Sequence, residues 1–154
     1  MSANSTSDDK VVRYPDQSPE YGVLVPEGNY QLKLVGHYTA IKFNAPRLIL
    51  VFRVIDYGQF HGCLLERYFY VKSLKGKPGK NGGCIHKPRG DFMIEYLGLF
   101  PEMRKPRLDR VSLQPLYENV ITARIATVTR NNQQKKMPEQ LHYSKVAELI
   151  EVAR

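Results

Sequence analysis

Tyr68, Tyr70 and Lys72 occupy alternate positions in Arg67-Tyr-Phe-Tyr-Val-Lys72. On an extended chain they share one face, with Phe69 and Val71 on the other. Tyrosine rings set side by side on a sheet face suit one kind of chemistry, stacking on flat aromatic ligands such as nucleobases, at roughly 1–3 kcal/mol per base. The segment that follows, Lys72–Arg89 (KSLKGKPGKNGGCIHKPR), holds five Lys, one Arg, four Gly, two Pro and no acid. A flexible loop of that composition neutralises phosphates by displacing their counterions. The plain alternative is a solvated loop beside tyrosines whose rings seal the core boundary and whose hydroxyls face water. Base stacking and phosphate neutralisation together serve both halves of a nucleotide, and that pairing favours the binding reading.

Other chemistries are less well supplied. His61-Gly-Cys63 and Cys84-Ile-His86 are mirrored His/Cys spacings that on strands would point two ligands the same way. Structural zinc usually separates paired ligands by two to four residues. Two free thiols and two unrelated histidines are therefore expected, with no metal and no cofactor. Gly76-Lys-Pro-Gly-Lys-Asn-Gly-Gly83 lacks the Gly-Lys-Ser/Thr that opens a phosphate-binding helix. Neither Gly-x-Ser-x-Gly nor His-Glu-x-x-His occurs. The acids of the body are scattered singly and form no cluster in sequence, which leaves Asp56, Glu66, Asp91 and Glu95 as a set that folding could bring together. The chain is expected not to be an enzyme.

The elements that must position these residues follow from composition and pattern. At 154 residues, 42% hydrophobic and 25% charged, one domain with its own core is expected. Of 23 bases and 15 acids, residues 1–27 hold two (Lys10, Arg13) and five (Asp8, Asp9, Asp16, Glu20, Glu27), so residues 28–154 carry a net +11. A body that basic attracts polyanions. Residues 1–26 are polar, contain Pro15, Pro19 and Pro26, and lack periodicity; they read as a flexible acidic arm ahead of a domain at 27–154. No signal-peptide pattern and no membrane-spanning apolar run is present, and two cysteines fit a reducing cytoplasm.

Asn29–Tyr38 alternates, with Tyr30, Leu32 and Leu34 on one face and Gln31, Lys33, Val35 and His37 on the other; Gly36 inside it suggests a bulge or a sharp bend. Thr39–Pro46 reads as a loop. Arg47–Asp56 is a strand with Leu48, Leu50, Phe52 and Val54 facing one way. Gly62–Lys72 is the third strand. Gly90–Pro101 reads as a helix capped by Asp91. Glu118–Arg130 is a strand and Asn131–Lys136 a hairpin tip; in Leu141–Val152 the run Tyr143-Ser-Lys-Val favours a closing strand, while Ala147-Glu-Leu-Ile-Glu allows a short helix. Three strands, a helix and a hairpin match the five-stranded Greek-key barrel of the OB-fold.

Val25-Pro-Glu-Gly-Asn-Tyr-Gln-Leu-Lys-Leu34, Leu48-Ile-Leu-Val-Phe-Arg-Val54, and Gly62 with the Arg67-Tyr-Phe-Tyr70 run resemble the OB-fold single-stranded-DNA-binding proteins of phages and mobile elements. The resemblance covers about residues 25–145 and implies replication or recombination of such an element. Bacterial members of that class often carry an acidic partner-recruiting tail after the domain; here the acidic segment precedes it.

The candidate binding residues are Lys33, Lys42, Phe43, Arg47, Arg53, Tyr68, Tyr70, Lys72, Lys75, Lys77, Lys80, Lys87, Arg89, Arg124, Arg130, Lys135 and Lys136. The expected partner is single-stranded DNA, with RNA a second polyanion of the same kind, a homodimer left open and no membrane. The competing class is a phage or mobile-element interaction protein that holds an acidic host protein or an RNA-guided complex on the same basic surface.

Overall fold

The computed structural model describes residues 24–103, 107–131 and 133–153. Most of the expected arm lies outside these residues, but Val25 is fully buried, and its backbone N–H and carbonyl both bond the hydroxyl of Ser144.

The molecule is an antiparallel sheet packed against two helices. Its strands are β1 (Gly28–Lys42), β2 (Ala45–Val54), β3 (Leu64–Tyr70), the short β4 (Ser73–Lys75), β5 (Gly79–Lys80) and β6 (Gly83–Ile85), then β7 (Val120–Val128) and β8 (Tyr143–Val152). Between β6 and β7 lie α1 (Asp91–Leu99) and α2 (Gln114–Glu118). The main sheet runs β3-β2-β1-β7-β8, with β5 on the flank of β1. No ladder joins β3 to β8; the sheet is not closed there, and α1 packs against both strands.

Core formation follows the alternation. Leu32, Leu34, Leu48, Leu50, Phe52, Val54, Leu65, Phe69, Ile121, Ala123 and Ile125 turn inward onto Phe92, Met93, Tyr96 and Leu99 of α1. Asp91 begins α1 rather than capping it; Gly90 is the N-cap and no side chain bonds the free N–H groups. The Asp91 carboxylate still suits the positive end of the helix dipole.

β1 departs from the sequence expectation in two ways. The expected loop over 39–46 is instead a continuation of β1 and a hairpin, Lys42 pairing with Ala45 across Phe43-Asn44. Both turn residues have positive φ, 52° and 62°, the backbone a two-residue hairpin needs to follow the sheet twist. The bulge at Gly36 shifts the register between Leu34 and Gly36, and that extra residue inverts which side chains face the core. His37 therefore turns inward with Leu50, and Tyr38 turns outward opposite Ile49. Tyr38, Ile49, Val51 and Leu64 build a second apolar cluster on the outer face, with Tyr68 packed on it.

The cationic segment after β3 is not a free loop. β4 pairs with β6, and β5 pairs with β1 through Tyr38–Lys80 and Thr39–Gly79. Gly82 fits there only because it has no side chain: a Cβ would lie 2.2 Å from the Thr39 hydroxyl. Among the described residues no helix is long and apolar enough to cross a membrane.

Candidate functional site

Arg47 stands directly opposite Tyr70 in the β2–β3 register, and Ile49 opposite Tyr68. The two tyrosines thus share the outer face of β3 while Phe69 enters the core at 2% exposure. Tyr68 and Tyr70 meet edge to face, with centroids 5.8 Å apart. The Arg47 guanidinium lies 4.6 Å from the Tyr68 ring centre, 4.9 Å from that of Tyr70 and 5.8 Å from that of Phe43. Phe43, raised on the β1–β2 tip, is 69% exposed.

The opposite wall comes from the other end of the chain. Arg130 lies at the mouth of the β7–β8 connection, where it pairs with Lys136 and donates to the Gln134 carbonyl at 3.1 Å. The Asn131 side chain accepts the backbone N–H groups of Gln133 and Lys135 and fixes this tip. Tyr143 and Lys145 project from β8 across the unpaired β3–β8 seam, with the Lys145 ammonium 5.6 Å from the Tyr68 ring centre. Together with Phe43, Arg47, Tyr68 and Tyr70 they line a cleft of about 640 Å³. Its described lining contains Arg47, Arg130 and Lys145 and no carboxylate.

Electrostatics follow from burial. Partial burial, with the nearby Arg67 and Arg124 charges, lowers the pKa of Lys145, so its charge lacks full solvation. Burial and the neighbouring Tyr68 and Glu66 raise that of Tyr143, which keeps its phenol proton. Glu66 shares the outer face of β3, but its carboxylate accepts the Tyr38 hydroxyl at 2.7 Å.

The expected site residues separate into those the fold gathers and those it disperses. Phe43, Arg47, Tyr68, Tyr70 and Arg130 line the cleft, and the Lys87 ammonium reaches within 5.9 Å of the Tyr70 ring. Lys42 is exposed beside Phe43, and Lys135 and Lys136 are exposed on the β7–β8 tip. Lys72, Lys77, Lys80 and Arg89 are exposed along the hairpin segment without lining the cleft. Four others are engaged elsewhere. Lys33 donates to the Tyr117 carbonyl and Lys75 to the Asp109 carbonyl. Arg53 bonds the Gly62 carbonyl at 3.0 Å, six residues from Arg47 along β2 and hence about 20 Å away at the strand rise. Arg124 pairs with Glu148 at 3.6 Å on an exposed surface.

Tyr143 and Lys145 are the site residues the sequence reading missed. Their signal was present: Tyr143-Ser-Lys145 alternates at the start of a strand.

A second cleft of about 430 Å³ lies beneath the β4–β6 hairpin, lined by His37, Lys75, Cys84, His86, Asp109, Arg110 and Tyr117 among others. His86 stacks on Phe92 at 4.1 Å and meets Cys84 Sγ at 3.6 Å. Burial, with help from Lys75, lowers the His86 pKa to about 4, and burial raises that of Cys84 to about 11. Cys63 and Cys84 are free thiols, and no group of three or more His, Cys, Asp or Glu side chains converges for a metal ion among the described residues.

No protein-family model, curated protein or solved structure matches this chain.

Proposed function

We propose that this chain is a non-catalytic single-stranded-DNA-binding module whose strand crosses the outer face of β2 and β3 between the β1–β2 tip and the β7–β8 connection. One observation carries the reading: four exposed or half-exposed rings, Phe43, Tyr68, Tyr70 and Tyr143, and three cations, Arg47, Arg130 and Lys145, border one cleft without a carboxylate in its described lining. Rings supply stacking surfaces for successive bases and cations supply phosphate contacts, so affinity needs no particular sequence.

The strand order supports reading the sheet as an OB-fold barrel left open at the β3–β8 seam. That fold is a partly open five-stranded barrel that binds oligonucleotides on its second and third strands, using the loops after its first and fourth. Here the corresponding parts are β2 with β3, Phe43-Asn44, and residues 129–142. In a phage or mobile element, such a module would protect strands during replication or recombination.

The test is a fluorescence titration with oligo-dT at two salt concentrations. Three phosphate contacts give a slope of log affinity against log salt of about −2, at roughly 0.7 per contact on single strands. Oligonucleotide binding that is absent, or indifferent to salt, would overturn the proposal. Oligo-rU serves as the second arm, because the 2′-hydroxyl is what distinguishes RNA from DNA at such a site.

A further inference from the structure

Arg47 is an unusual cation. It is half-buried, its guanidinium is flanked by Tyr68 and Tyr70 with Phe43 near, and its Nε is buried with no hydrogen-bond partner among the described residues. Among the described residues its one hydrogen bond to a side chain runs from Nη2 to the Tyr70 hydroxyl at 3.3 Å. Among the described residues no carboxylate forms an ion pair with it. Arg67 on the other face of β3 is the contrast, since Glu95 holds it. The planar guanidinium occupies the place beside the two tyrosines that a planar base would take.

We infer that Arg47 determines the specificity of the cleft by occupying its stacking slot until a phosphate draws it out. The inference rests on the proposed function and deepens it. A base that enters must displace the guanidinium from the rings. A phosphate joined to that base gives the displaced charge a partner better than an aromatic face, because charge-assisted Arg–phosphate bonds are bidentate and strong. A neutral aromatic ligand displaces Arg47 and offers nothing in return. Base stacking is thereby conditional on an anionic backbone, and the cleft rejects uncharged planar molecules that its rings alone would accept. The same exchange satisfies the orphaned Nε.

The experiment compares oligo-dT with its methylphosphonate analogue, which keeps the bases and removes the charges, on the full chain and on Arg47→Met. The methionine keeps an apolar stem and lacks the planar cation. The expected result has opposite signs: Arg47→Met binds oligo-dT more weakly with a shallower salt slope, and binds the neutral strand about 3- to 30-fold more tightly, the fold-change of a partly desolvated guanidinium–ring contact removed. Arg47→Lys is the second variant. Its hydrated ammonium leaves the slot while retaining a phosphate contact, so neutral-strand affinity rises and oligo-dT affinity holds. Neutral-strand binding that falls or stays level in both variants overturns the inference while leaving the proposed function standing. Wild-type protein that ignores oligo-dT sinks the proposed function, and the inference with it.

Discussion

Replacing Glu95 by Ala should destabilise the protein more than any other single surface-proximal change. Glu95 projects from α1 into the seam between β3 and β8, where no backbone ladder runs. It pairs with Arg67 of β3, whose Nε reaches Oε1 at 3.3 Å, and the same oxygen accepts the Leu149 backbone N–H of β8 at 3.0 Å. Both side chains of the ion pair are only 11% exposed. Removing the carboxylate leaves a mostly buried guanidinium and a backbone donor unsatisfied, a loss of about 3–5 kcal/mol by analogy with other broken buried pairs. For a domain of this size that corresponds to roughly 6–20 °C in Tm. Thermal unfolding followed by circular dichroism measures it. A double-mutant cycle isolates the pair: Arg67→Met with Glu95→Leu should recover about 2 kcal/mol relative to the sum of the singles, because the charge and its counter-charge leave together. Single variants that each lose less than about 1 kcal/mol, or a strictly additive cycle, would show that the seam is held by apolar packing alone.

Three further outcomes follow from the same geometry. Tyr70→Ala should weaken oligo-dT binding by roughly 1–3 kcal/mol with the melt nearly unchanged. Phe69→Ala should instead destabilise the fold by about 3–5 kcal/mol; titrations and melts on the two variants check the facing of β3. Arg130→Gln and Lys145→Gln should each reduce the salt slope by about 0.7, whereas Arg53→Gln and Arg124→Gln, whose side chains point elsewhere, should leave it unchanged. For His86 the folded pKa is depressed from 6.5 to about 4, so the imidazole is neutral in both states above pH 6.5. As pH falls below 6.5 the unfolded chain takes up a proton that the folded chain refuses, and stability declines by up to about 1.4 kcal/mol per pH unit. Urea unfolding at pH 7, 5.5 and 4.5 should show that decline, and His86→Phe should flatten it.

The sequence carried the strands whose sides differ in polarity. β2 declared its inner face through Leu48, Leu50, Phe52 and Val54 because the other face begins and ends on Arg47 and Arg53, although Ile49 and Val51 between them are buried in the outer cluster; β3 declared its inner face through Phe69 between Tyr68 and Tyr70. It misled at β1 because a bulge is visible as a glycine while its consequence is not. Once Gly36 adds a residue, every assignment downstream inverts, which turned His37 inward and Tyr38 outward. The Phe43-Asn44 hairpin escaped for a local reason: positive φ is ordinarily announced by glycine, and a phenylalanine there is uncommon. The basic hairpin was legible only in part. Its charge was evident, but its pairing to β1 and the turn of Lys75 toward Asp109 depend on contacts more than 30 residues away.

The two halves of the cleft were legible to different degrees for a geometric reason. Phe43, Arg47, Tyr68 and Tyr70 come from consecutive strands joined by backbone ladders, so strand parity alone nearly aligns them. Tyr143 and Lys145 reach the same cleft across a seam with no ladder, and no register rule relates β3 to β8. Arg47 and Arg67 make the same point about charge. Both are arginines beside aromatic residues, on neighbouring strands and opposite faces. What separates them is Glu95, 28 positions beyond Arg67, which the packing of α1 delivers to one arginine and not to the other. The neutralised one closes the fold. The other is flanked by rings and bonds the Tyr70 hydroxyl, with no carboxylate paired to it among the described residues, and under the proposed function a phosphate beside an aromatic ring takes the place that Glu95 takes at Arg67.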